Sequence, residues 1–139
     1  LLIDTIGELF AGNEPLFQGL FIHDKWNWAV KYPVIRLSFG GGVMRNRAEL
    51  DDKIQELLSN AQKELGIECL QHSERACFAE LIRVAHEKTG QRVVILVDEY
   101  DKPILDNITN PEIAREIRDG LRNLYSVIKD SDAHGGVNI

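Results

Sequence analysis

No stretch between Leu1 and Ile139 matches G-x-x-x-x-G-K-[ST], the glycine loop whose backbone amides cradle nucleotide phosphates. Cysteine is scarce as well. Cys69 and Cys77 are the only two, too few for a disulfide framework, so a reducing cytoplasm is the simplest expectation. Positive charge is in deficit: Lys+Arg 16 against Asp+Glu 22 leaves a net charge of −6. That argues against a general nucleic-acid-binding surface without excluding a local basic patch. No apolar run approaches the ~18 residues of a membrane span. The opening Leu-Leu-Ile-Asp-Thr-Ile lacks a methionine, a visible helix cap and the charged n-region of a signal peptide. It reads as the inside of a helix, as in a fragment of something longer. The rest is ordinary for a globular domain, with 139 residues, 44% hydrophobic and 27% charged, enough for one domain or one incomplete domain.

The most informative segment is 93–99, Val-Val-Ile-Leu-Val-Asp-Glu. Five apolar, mostly β-branched residues suit a strand buried on both faces of a parallel sheet. Two carboxylates follow at its carboxyl end, where open α/β sheets place ligands. In nucleotide hydrolases an acid there holds Mg²⁺, and a second orients or deprotonates the attacking water. This is the pattern of a Walker B strand with its catalytic glutamate. The bland alternative is a buried strand that turns polar on reaching solvent. Asp101 weighs against it, because Asp98, Glu99 and Asp101 crowd three carboxylates into four residues, a cost that a cation or a solvated loop would relieve. The string Asp-Glu-Tyr-Asp-Lys also invites a metal-dependent nuclease of the PD-(D/E)XK type. Lys102 follows Glu99 by three residues, and Tyr100 stands where the E-x-K acid is needed, so that reading fails on spacing.

Elsewhere the chain alternates helix and strand signals. Leu2, Ile6, Leu9 and Phe10 fall at helical spacing, ended by Gly12-Asn13. Residues 15–28 are irregular and aromatic, with Phe17, Phe21, Trp26 and Trp28 expected to anchor them. Residues 33–39 form a second strand candidate that opens on Pro33, is interrupted by Arg36 and ends in Gly40-Gly41-Gly42. Asn46 and Glu49 resemble a capping box ahead of the stripe Leu50, Ile54, Leu57, Leu58, Ala61 and Leu65, closed by Gly66. Ser73 is placed to cap a third helix that ends at Gly90. Asn110 and Pro111 open a last one, with Ile113, Ile117, Leu121, Leu124, Tyr125 and Ile128 inward. Residues 132–139 read as a loose tail. Strands separated by helices imply parallel pairing and an α/β layered fold.

Other candidate motifs are weaker. The triple glycine at 40–42 precedes Val43-Met44-Arg45-Asn46 rather than Lys and Ser/Thr, so it reads as a flexible strand-to-helix turn. Cys69, His72, Cys77 and His86 miss the paired spacings of zinc ligands. His23 and His134 stand alone. Arg115, Arg118 and Arg122 line one side of the last helix, where Glu112, Glu116 and Asp119 make a solvated, ion-paired face a better reading than an arginine finger.

These residues together resemble the AAA-ATPase-like domain family of bacterial proteins. The resemblance is carried by Leu-Phe-Gln-Gly-Leu-Phe-Ile at 16–22, Lys-Tyr-Pro-Val-Ile-Arg-Leu-Ser-Phe at 31–39, Val-Ile-Leu-Val-Asp-Glu-Tyr-Asp-Lys-Pro at 94–103, and Leu-Arg-Asn-Leu-Tyr-Ser-Val-Ile-Lys-Asp at 121–130. It implies a Walker A loop ending in Gly-Lys-Ser just upstream of the helix over residues 1–11. It also implies a polar sensor strand after the last helix, and often a PD-(D/E)XK nuclease-like domain farther along. Residues 135–139, Gly-Gly-Val-Asn-Ile, depart from the sensor pattern. Carried over by position, Asp98 becomes the Mg²⁺-associated acid and Glu99 the water-activating base. Asp101 and Lys102 match the family string without an assigned role.

The expected fold is therefore α/β, a partial P-loop NTPase of three layers with a parallel sheet, lacking the phosphate-loop strand and the sensor strand. The expected function is the central fragment of an ATP-binding and ATP-hydrolysing domain, dependent on Mg²⁺ and ATP in the intact parent and inactive in isolation. A non-catalytic interaction module on a degenerate P-loop fold is the alternative, with a metal-dependent nuclease behind it. Residues 93–97 are expected to form an apolar sheet edge prone to self-association. No membrane partner is expected.

Overall fold

The computed structural model describes residues 2–133 and 137–138. The order is helix α1 (Leu2–Phe10), two 3-10 turns (Glu14–Phe17 and Phe21–Asp24), strand β1 (Val34–Ser38), α2 (Arg47–Leu65), α3 (Glu74–Thr89), β2 (Val93–Asp98), a short α4 (Lys102–Leu105), α5 (Pro111–Ala133) and β3 (Val137–Asn138). The helix boundaries follow the local signals. Asn46 accepts from the Glu49 N–H at 2.9 Å, and Ser73 accepts from the Ala76 N–H at 3.2 Å. Gly66 and Gly90 end α2 and α3 in the left-handed region, with φ 65° and 69°. The Glu49 carboxylate reaches past the cap to the Arg45 N–H, so the reciprocal bond lies one residue upstream of a standard capping box.

The sheet is parallel, in the order β1-β2-β3. Alternate side chains divide it between two helical layers. Ile35, Leu37, Phe39, Val93 and Ile95 join one apolar core with α2, α3 and α5. Val34 and Val94 are buried outside that core, on the face where α1 packs on β1 and β2. The Tyr32 N–H bonds the Phe10 carbonyl at 2.9 Å, and Gly7 lies against the Arg36 guanidinium farther along β1. α1 therefore runs antiparallel to β1, and its N-terminus points toward the carboxyl ends of the strands.

Several expectations need correction. Val137–Asn138 pair with Val93 and Val94, so a third strand stands on the side of β2 that was expected to be empty. The loose tail expected over 132–139 loses its first two residues to α5 and residues 137–138 to β3; the remainder lies outside the described residues, as does His134. Cys69 and Cys77 form a disulfide, because the turn after α2 folds back on the first turn of α3 and brings their Cα atoms to 5.4 Å. Phe21 is 81% exposed under the Lys25 ammonium rather than an anchor. Phe17 is buried against Trp28, and Trp26 meets Phe10 edge-on at 5.2 Å. Leu2, one of the apolar residues at helical spacing in α1, is 74% exposed, and Gly7 is the one fully buried residue of that helix. Among the described residues, no helix is long and apolar enough to cross a membrane.

Candidate functional site

β1 and β2 run in register from Val34↔Val94 to Ser38↔Asp98, and the Phe39 N–H extends the ladder to the Asp98 carbonyl at 3.0 Å. Both strands therefore finish at the same level. The glycine run after β1 and the carboxylates after β2 are neighbours, although about sixty residues separate them along the chain.

Asp98 is half-buried as the last residue of β2, on the same face as Val94 and the α1 layer. Glu99 breaks the strand. Its φ of 51° makes it the one non-glycine residue with positive φ among the described residues, a backbone state that is uncommon outside glycine and concentrates at functional sites. The turn is closed by a bond from the Lys102 N–H to the Glu99 carbonyl at 3.1 Å. The Glu99 carboxylate swings over β1's end, where a Cβ on Gly40 would come within 2.9 Å of its Oε2. A Cβ at Gly40 would thus make the Glu99 carboxylate shift, whereas Gly41 and Gly42 are required for their φ of 83° and 127°.

Asp101 is exposed at the start of α4. Among the described residues no three His, Cys, Asp or Glu side chains are grouped as they would be to hold a metal ion. The Lys102 side chain is partly exposed. Its ammonium bonds the Gly42 carbonyl and the Asp106 carboxylate, the latter at 2.8 Å. Asp106 also accepts from the Met44 N–H at 3.4 Å, and Asn107 donates to the carbonyls of Met44 and Pro103 at 2.6 and 2.9 Å. Asp106 and Asn107 escaped the sequence reading. The signal that could have marked the pair was Lys102 and Asp106 at i,i+4, the spacing of one helical turn.

An open cleft of about 390 Å³ lies beside this edge, lined by the loop from Gly40 to Arg45 and by Glu49, Asp52, Lys53 and Glu56 of α2. A larger groove of about 620 Å³ runs between α3 and α5, floored by Ala76, Ala79, Ile82 and Val127. It contains none of the strand-end acids, so size alone does not locate the chemistry. Behind the edge, burial pushes the Tyr125 phenol up to about 12, helped by nearby Tyr100 and Asp101. Arg115, Arg118 and Arg122 are exposed on α5. Cys69 and Cys77 are closed in their disulfide, and the His86 ring contacts the Gln91 carbonyl at 2.8 Å.

The family described as predicted AAA-ATPase matches residues 1–137, almost the whole chain. The chain belongs to the AAA-ATPase-like family. An uncharacterised protein encoded in the vnfD 5′ region of Azotobacter chroococcum mcd 1 is 67% identical to this AAA-ATPase-like chain over 134 residues. That alignment covers 96% of the chain and 26% of the relative, so the AAA-ATPase-like chain spans about a quarter of the relative's length. No solved structure matches.

Proposed function

We propose that this chain is the central part of a P-loop domain that binds Mg²⁺·ATP and hydrolyses it, or uses bound ATP as a conformational switch. One observation carries the reading. The half-buried Asp98, the exposed Glu99, the glycine loop and the N-terminus of α1 all face the same edge of a parallel sheet. Helix N-termini and strand carboxyl ends are the two features that α/β folds use to hold phosphates.

Asp98 and Glu99 at the end of β2 are donors of the kind Mg²⁺ takes, an ion bound through one or two carboxylates that completes its shell with water and phosphate oxygens. When bound, the ion would neutralise charge on the phosphates. Asp98 would hold it, directly or through water. Glu99, free of the strand ladder and open to solvent, would accept a proton from the attacking water. The amides that open α1 lie toward the same edge and favour negative charge. The 139 residues contain no Gly-Lys-Ser, so turnover from them alone should be negligible.

The test is steady-state hydrolysis by the intact gene product. Glu99→Gln should lower kcat about a hundredfold or more while ATP binding persists. Asp98→Asn should weaken the Mg²⁺-dependent part of binding. Wild-type protein that neither binds nor hydrolyses ATP would leave the non-catalytic module as the better account.

A further inference from the structure

We infer that Lys102 and Asp106 are positioning residues, which hold the 40–44 loop so that the Glu99 carboxylate stays over Gly40. The inference rests on the ATPase reading for its catalytic consequence and on geometry alone for the latch. Three consecutive glycines give the loop almost no conformational preference of its own. Its shape must therefore be imposed from outside. The structure supplies the constraint from the segment directly following the strand-end acids. The Lys102 ammonium holds the Gly42 carbonyl, and Asp106 joins that ammonium to the Met44 N–H. Asn107 closes the far side through the Met44 carbonyl.

The same segment fixes Glu99. The Lys102 N–H bonds the Glu99 carbonyl at 3.1 Å, so backbone and side chain of one lysine tie the acid and the loop together. Lys102 is only partly exposed, with 26% of its side-chain surface open, and Asp106 less so at 16%. An ion pair that shielded, also bonded to backbone groups, resists solvent and salt better than a surface pair. The loop's other contact with the site is steric. The Glu99 carboxylate lies so close over Gly40 that a Cβ there would come within 2.9 Å of its Oε2. If the loop drifts, the wall against which Glu99 rests drifts with it.

The decisive experiment uses the intact gene product and two readouts. Hydrogen exchange is followed on the peptide covering residues 40–46. ATP turnover is separated into kcat and KM. Lys102→Ala and Asp106→Ala should each speed exchange of that peptide roughly tenfold, leaving the interior of α2 unchanged. They should lower kcat by roughly ten- to a hundredfold, the range expected for a misplaced catalytic group, with KM within about twofold. Lys102→Arg, which keeps a donor for Gly42 and Asp106, should recover much of both; it also covers the case in which an alanine variant folds poorly. Unchanged exchange in the alanine variants would overturn the latch. Faster exchange with unchanged kcat would overturn its positioning role. An inactive wild type whose variants still exchange faster would remove the ATPase reading and leave the latch standing.

Discussion

Asn107 is 6% exposed and spends its amide on two carbonyls, those of Met44 and Pro103. Truncating it leaves two acceptors short of a donor in a buried corner, so Asn107→Ala should cost about 1–3 kcal/mol, seen as a lower denaturant midpoint with unchanged m-value. Tyr125 behaves differently. Its hydroxyl has no hydrogen-bond partner among the described residues, and its folded-state pKa of about 12 lies above the ordinary 10. The unfolded chain releases this proton first, so the folded state binds more protons between those values and stability falls as pH rises from about 10 to 12. Tyr125→Phe should abolish that part of the alkaline slope and leave neutral-pH stability within about 0.5 kcal/mol. A pH series of urea midpoints checks both statements. Asp98 and Glu99 were readable from the chain because a strand's end marks itself by a switch from apolar to acidic. Asn107 carries no such mark; an asparagine near a proline reads as a turn.

At the level of elements, α2 and α5 meet where Gly120 faces Arg47 and Leu50. A Cβ there would come within 2.9 Å of Leu50 Cδ2 and 2.8 Å of Arg47 Nε. Two effects oppose each other in Gly120→Ala. Helix propensity favours alanine by about 1 kcal/mol, whereas overpacking costs typically 1–3 kcal/mol. Leu50 is fully buried and cannot retreat, so the variant should be destabilised on balance; a raised melting temperature would show that Arg47 alone yields. The α2–α3 connection is held by the Cys69–Cys77 disulfide, by Gln62, whose Oε1 accepts from the Cys69 N–H, and by the buried Glu80, whose carboxylate accepts from the Leu70 and Gln71 N–H groups. Closing a loop of 8 residues restricts the unfolded chain by about 2.5 kcal/mol in the chain-entropy model. Reduction, or Cys69→Ser with Cys77→Ser, should therefore lower stability by roughly that amount, and unreduced protein should show no titratable thiol. Helix ends were legible because capping acts within four residues. The short α4 was not, since its four residues are too few to show a period.

For the whole molecule the sheet edge matters most. β3 covers β2 only opposite Val93 and Val94. Among the described residues Ile95 to Asp98 lack a strand partner on that side, and Leu96 and Val97 are partly exposed. Unpaired backbone beside apolar side chains recruits other strands. Sedimentation of these 139 residues should accordingly show mass rising with concentration, and a monomer of constant mass with cooperative unfolding would count against it. The α/β class and parallel pairing were legible in the alternation of helix and strand signals. β3 was not, because Val137–Asn138 follow a Gly-Gly pair and are too few to show a strand's alternation.

The chain by itself determined whatever depends on near neighbours: the caps at Asn46, Ser73 and Asn110, the left-handed stops at Gly66 and Gly90, the buried strand at 93–97 and the acids that close it. Only the tertiary structure decided what those acids face. The bonds from Lys102 to Gly42 and from Asn107 to Met44 span 60 and 63 residues, and no periodicity reaches so far. They form because β1 and β2 finish at the same level, Ser38 opposite Asp98, which lays the loop after one beside the turn after the other. The cysteine pair follows the same logic. Two thiols eight residues apart are merely scarce in the sequence, and become a covalent link once the turn folds back on its helix.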